Sequence, residues 1–298
     1  MKTLILSAIA SLSLGGAAFA ADVTLRVHHF LSAEAPMHTE VLAPWKQAVE
    51  EQSGGRIEVQ LLPSMQLGGK PPQLFDQARD GIVDISWTLL GYTPGRFPIA
   101  EVFELPFMSG TAVQTTAALQ EFQAKYLGDE MAQVKPLLLH APAGYKFHMR
   151  NGPITSLADL KGKKIRAPSR SMTDALNALG ATAVGMPVPE VAQALTTGVI
   201  DGAQIPWEVV GSLRVEEITN AHSEIGVENG GMSTAVMALV MNRAKYDALP
   251  DDLKAVIDDN SGATLAVLAG EAFDRVEAEE RQKFQEAGAQ INVVPAEQ

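Results

Sequence analysis

Apolar residues at Val23, Leu25 and Val27, with Thr24 and Arg26 between them, give the chain its first strand-like alternation, because successive strand side chains face opposite sides of a sheet. From His38 to Gln52 the spacing lengthens to that of an amphipathic helix, and Ser53-Gly54-Gly55 closes it. Ile57–Leu61 returns to alternation and stops at Pro63; Pro71–Arg79 suits a helix with proline in its first turn. Val83–Trp87 reads as a short strand, and the Gly- and Pro-rich stretch 91–98 as a loop. Helical periodicity covers Thr111 to Val134, followed by strands at Pro136–His140 and Tyr145–Met149 around Ala141-Pro-Ala-Gly144. The second half restarts with strand Lys163–Arg166, helix Ser171–Leu179, strand Ala183–Val184 and helix Glu190–Thr197. Thr234–Asn242 is apolar enough for a buried strand, and Leu249–Phe284 is helical, with Gly262 and Gly270 predicting two helices or one kinked helix. Strands alternating with helices predict an α/β fold.

One internal echo supports a duplicated arrangement. Gln77-Ala-Arg-Asp-Gly81-Ile-Val-Asp84 parallels Ala194-Leu-Thr-Thr-Gly198-Val-Ile-Asp201: in both, a helix ends on glycine, where a left-handed residue is needed, and a short apolar strand begins at once. Two similar α/β lobes in one chain predict a bilobed receptor with its ligand in the cleft between them.

The N-terminus changes the setting. Lys2 is followed by an apolar run from Leu4 to Leu14 and by Ala18-Phe19-Ala20, the pattern of a secretory signal peptide cleaved before Ala21. The run is too short to span a bilayer, and no later segment reaches the roughly 18 uncharged apolar residues that a transmembrane helix needs. An exported, periplasmic chain is expected. It has no cysteine, which excludes disulfides, thiolate metal sites, a cysteine nucleophile and a lipoprotein anchor. The formal charge of −12 disfavours nucleic acid and acidic membrane surfaces as partners.

Enzyme signatures are missing: there is no G-x-S-x-G, H-E-x-x-H, P-loop or G-x-G-x-x-G. His28 and His29 are adjacent in a strand and face opposite ways, which predicts one core and one surface histidine. Asp251-Asp252 and Asp258-Asp259 lack a glycine-punctuated cation loop and read as a solvated helix face. Neither a metal nor a cofactor is expected.

At Gly162-Lys-Lys-Ile-Arg166-Ala-Pro the chain resembles the DctP-type receptors of TRAP transporters. Ser156 to Arg166, Leu179-Gly-Ala181, Met186-Pro187, Glu190-Val191 and Gly198-Val-Ile-Asp-Gly202 follow that family's spacing, as do Leu62-Pro63 to Gly69 and Phe103-Glu-Leu-Pro-Phe107 upstream. The resemblance implies a two-lobed periplasmic binding-protein fold with long hinge strands and a long C-terminal helix. Lobe I would comprise 21–143 plus about 230–270, and lobe II 144–229 plus about 271–298. It implies a monomer that closes on a small organic acid and delivers it to TRAP membrane subunits. It also implies that Arg166 pairs bidentately with the ligand's carboxylate, for which a planar guanidinium is better shaped than an ammonium. Such an arginine is expected to bond the ligand and not the core, so that its loss leaves the ligand-free fold nearly as stable.

Two departures narrow the ligand. Sialic-acid receptors of the family carry a second arginine where Lys146 stands and an asparagine where Ile205 follows Gln204; the 2-oxo-acid receptors place a metal-binding tryptophan at Ile205. Neither substrate fits, nor does a metal-bridged one. Trp207, Trp87, Tyr92, Phe147 and Tyr145 would wall a cleft suited to an aromatic or partly apolar monocarboxylate, with Lys146, Gln204 and Arg150 as further polar contacts. Trp207, beyond Pro206, is expected near the ligand. A receptor for an ABC importer or a chemosensory system shares this physics; an exported hydrolase would need a nucleophile or an acid–base pair that the sequence does not offer.

Overall fold

Residues 21–226 and 230–295 are described by a computed structural model; the segment 1–20, expected to be a signal peptide, lies outside the described residues. Strands β1 (Val23–His29), β2 (Ile57–Leu62), β3 (Ile85–Leu89), β4 (Val134–His140), β5 (Lys146–Met149), β6 (Lys164–Ala167), β7 (Thr182–Gly185), β8 (Gly202–Ile205), β9 (Ala221–Ile225), β10 (Met237–Asn242) and β11 (Gln290–Val294) form two sheets. The first runs β2-β1-β3-β10-β4 and the second β11-β9-β5-β8-β6-β7. In the first, β1 pairs in parallel with β2 and β3, and β10 closes the sheet antiparallel to β3 and β4. In the second, β6 is parallel to β7 and β8, while β5 is antiparallel to β8 and β9.

Helices α1 (Ala43–Gln52), α2 (Leu74–Arg79) and α3 (Ala112–Tyr126) cover the first sheet, and α4 (Leu157–Leu160), α5 (Arg170–Ala178), α6 (Val191–Thr196) and α7 (Trp207–Leu213) lie within the second half. Helices α8 (Arg243–Asp247) and α9 (Asp251–Asp259) lead into α10 (Ala263–Glu286), whose 24 residues pack on α3 and β4 of one lobe and on α7 of the other. The chain passes between sheets after β4, after β9 and through α10. The two sheets with their helices are the two lobes. None of the described helices is long and apolar enough to cross a membrane.

Three expectations need correction. The helix starting at Ala112 ends at Tyr126, where the Leu127 N–H closes on Gln123 O, and Val134 already belongs to β4; the apolar residues between them fill a turn whose periodicity imitates a helix. Gly270 does not interrupt α10. It sits where a Cβ would come within 2.9 Å of Val113 Cα, so its small size lets α3 and α10 approach closely; only Gly262, at φ 56°, marks the break. Both His28 and His29 are fully buried, because β1 lies inside a sheet covered on both faces. His28 Nδ1 meets Gln77 Oε1 at 2.8 Å on one side, and His29 Nε2 meets His38 Nδ1 at 2.9 Å on the other. Burial, with the neighbouring histidines, holds His29 down to about 3, so it remains neutral.

Candidate functional site

The carboxyl ends of four strands point at one another across the gap between the lobes. β1 runs on into Phe30 and Leu31, β3 leads through Leu89 to Tyr92, β6 carries Arg166, and β8 ends at Ile205 before Pro206. Loops beyond such strand ends collect ligands in open α/β sheets. Here they line a pocket between the lobes, the kind of largely apolar cleft in which small-molecule sites form. The walls are aromatic and aliphatic, and among the described residues that line the cavity Arg166 is the one cation and Glu208 the one acid.

Arg166 is only 1% exposed, and its position follows from the sheet order. With β8 on one side of β6 and β7 on the other, its Nη1 donates to Gln204 O at 2.9 Å and its Nε to Met186 O at 3.0 Å. Two flanking carbonyls thus fix the guanidinium plane. Nη2 has no protein partner although it is buried, and Nη1 keeps a second N–H. Nη2 thus leaves a free guanidinium edge on a residue that lines the apolar cavity, and such an edge is the shape that a carboxylate accepts bidentately. A buried cationic donor without an acceptor is costly, and an anion in the cavity would remove that cost.

The aromatic walls are held from outside the cavity. Trp87 lies face to face with Phe30, their centroids 4.7 Å apart and their planes 13° off parallel. Its Nε1 donates to His140 Nε2 at 2.9 Å, so that nitrogen is unprotonated. Burial agrees, pushing His140 down to about 3. Tyr92 comes from the first lobe, and its hydroxyl accepts the Val188 N–H of the second at 2.9 Å. Burial raises both Tyr92 and Tyr145, the latter well above the ordinary phenol range, with Arg166 offsetting part; both keep their protons. Gly91 stands where a Cβ would lie 2.4 Å from Ser169 Cβ, so the lobes meet here at backbone distance.

Four of the residues singled out in the sequence, Arg166, Tyr145, Trp87 and Tyr92, line this cavity. The other five are placed elsewhere. Phe147 is fully buried in β5 outside the lining. Gln204 supports Arg166 through its backbone carbonyl, and its buried side-chain amide has no protein partner. Trp207 is fully buried behind the cavity wall, donates Nε1 to Glu224 Oε1 at 2.8 Å and packs on His148 and Phe284. Lys146 is buried and paired with Glu277 of α10. Arg150 follows the far end of β5, where Met149 pairs with Gly202, whereas the cavity lies at the Lys146–Ile205 end.

Glu208, Phe30 and Phe273 also line the cavity, and the sequence reading did not single them out. Phe30 was findable, since it follows the carboxyl end of β1. Glu208 was not: nothing in Pro206-Trp207-Glu208 distinguishes a buried acid from the solvated acids usual in the first turn of a helix.

Comparison with known proteins bears on this site. The profile of "DctP: Bacterial extracellular solute-binding protein, family 7" matches residues 27–298. A TRAP solute-binding protein from Rhodoferax ferrireducens T118, solved with copurified benzoate, superposes with a TM-score of 0.89 at 44% identity, over 92% of this chain and 85% of its own. A marine-metagenome TRAP solute-binding protein described as specific for aromatic acid ligands, solved with 3-hydroxybenzoate, gives 0.89 at 45% identity over 92% and 86%. A third, from Bordetella bronchiseptica with bound (R)- and (S)-mandelate, gives 0.85 at 28% identity over 91% and 85%. With the two-lobed fold and the enclosed arginine, these matches establish that the chain belongs to the DctP family of bacterial extracellular solute-binding proteins and is a TRAP-type solute receptor, not an enzyme.

Proposed function

We propose that the protein captures an aromatic monocarboxylate of the benzoate class for delivery to TRAP membrane subunits. The observation that carries this reading is the unpartnered Nη2 edge of Arg166 facing aromatic walls. A single lining cation suits a single carboxylate; a second would enter a dry site without a counter-charge. The benzoate and 3-hydroxybenzoate seen in relatives at 44% and 45% identity point the same way. In this reading the lobes, divided near residues 143, 230 and 270, close over the ligand, and the segment 1–20 is a signal peptide removed after Ala20 on export to the periplasm.

Calorimetric titration with benzoate, 3-hydroxybenzoate, mandelate and succinate tests it. The aromatic monocarboxylates should bind at least about 100-fold more tightly than succinate, since an unpaired buried carboxylate costs several kcal/mol. Preference for succinate would sink the reading. Fluorescence adds a position-specific check among the chain's three tryptophans. Trp87 forms the cavity wall while Trp207 lies behind it with its N–H already bonded. Trp87→Phe should therefore abolish most of the ligand-induced change and Trp207→Phe should keep it; the reverse pattern would place the ligand elsewhere.

A further inference from the structure

Glu208 occupies the cavity wall without a part in gripping a carboxylate. It stands in the first turn of α7, 6% exposed, and its Oε2 is buried with no donor in the protein. Behind it, Glu277 receives the ammonium of Lys146 on Oε1 and the backbone N–H of Glu208 on Oε2, the latter at 3.0 Å. Two carboxyls and one ammonium therefore share a site closed to solvent, and the ammonium is spent on Glu277. Burial first, and then the charge of Glu277, push the Glu208 carboxyl well above the usual carboxylate range, with Lys146 opposing only in part. Buried acids beside a like charge keep their proton in this way. Glu277 accepts the Glu208 backbone N–H at 3.0 Å, which sets its carboxylate beside the Glu208 carboxyl as the acceptor for the Glu208 O–H. Its carbonyl oxygen is then a neutral acceptor facing an apolar slot.

A buried acceptor with no donor is an incomplete hydrogen bond, and no protein group donates to Glu208 Oε2. The donor must come with the ligand. Resting on the aromatic-acid reading above, we propose that Glu208 reads a hydroxyl at the meta or para position of the ring, so that the receptor selects hydroxylated aromatic acids over the unsubstituted acid. A second ligand carboxylate is not an alternative, because it would present a lone pair to a lone pair. Arg166 thus takes the carboxylate that every such ligand carries, and Glu208 distinguishes among them.

The test is the ratio of Kd for benzoate to Kd for the better of 3- and 4-hydroxybenzoate, measured in the parent protein, Glu208→Leu and Glu208→Gln. The parent should favour the hydroxylated acid roughly 10-fold or more, since a site built around a hydroxyl penalises the analogue lacking it. Glu208→Leu removes the acceptor and should bring the ratio to about one, whatever becomes of the affinity for either ligand. The amide of Glu208→Gln can donate to Glu277 and still turn its carbonyl to the cavity, so this isostere should keep the preference within about threefold. No preference in the parent, or a preference surviving in Glu208→Leu, overturns the inference while leaving benzoate-class binding intact. Loss of preference in a folded Glu208→Gln overturns the neutral acceptor. If the parent binds neither benzoate nor its hydroxylated forms, the aromatic-acid reading falls and this inference with it.

Discussion

Replacing Arg166 with alanine should weaken ligand binding by about 2–5 kcal/mol, or roughly 30- to several thousand-fold in Kd. The cavity wall holds no second cation to compensate, so the carboxylate would enter a closed apolar space with its charge unpaired. Arg166→Lys keeps the charge but has one nitrogen, and that nitrogen cannot replace the pair of donors at the free edge. It should bind clearly worse than the parent. Stability should fall as well, contrary to the expectation that a cleft arginine bonds the ligand alone. Nε and Nη1 satisfy the carbonyls of Met186 and Gln204, and alanine leaves both acceptors stranded on either side of β6. Each buried acceptor so orphaned costs about 1–3 kcal/mol. Urea melts of the ligand-free variants beside calorimetric titrations separate the two effects. Near-parental affinity in a folded Arg166→Ala would remove the carboxylate fork, and unchanged apo stability would show that the carbonyl clamp contributes nothing.

The sequence made the arginine legible because its signal is local: a run of residues leading into Arg166, with the following motifs at fixed spacing. Tyr92 and Tyr145 lie close to the ends of β3 and β5 and Trp87 within β3, so all three were legible as aromatics in or beside strands. What could not be read was partnership across the chain. Trp207 follows Pro206 at the cleft end of β8, yet the first turn of α7 sends the indole inward to Glu224, which is also held by Arg281 at 2.7 and 2.9 Å. Among the strands, β8, β9 and β11 escaped detection. Ala221-His-Ser-Glu-Ile is polar by composition, and it pairs as a strand because β5 and β11 flank it and its polar groups find partners inside. Alternation shows that a segment has two faces but not what covers each, which is also why one of His28 and His29 was expected at the surface.

Lys146→Met should destabilise the protein by about 3–5 kcal/mol, the cost of removing one partner from a buried ion pair. The side chains of Lys146 and Glu277 are only 7% and 12% exposed, so little solvent screens what remains. Methionine fills similar space, which makes the loss electrostatic and not a cavity effect. Without the ammonium, Glu277 faces Glu208 with two carboxyls and no cation, between β5 and α10, which tie the second lobe to the helix spanning both. Glu277→Leu alone should be comparably costly, because it leaves Lys146 charged and unpaired. The double variant Lys146→Met/Glu277→Leu should recover most of the loss, since apolar replacement of a complete buried pair is often neutral. The same variants decide where Lys146 acts. A ligand contact would show as weakened binding with the melt unchanged, whereas the pairing seen here predicts the opposite order: a large shift in the urea midpoint, with binding by the protein that remains folded altered only through Glu208. A single-variant loss below about 1 kcal/mol, typical of an exposed pair, would mean that solvent reaches this site and that Glu208 need not stay neutral.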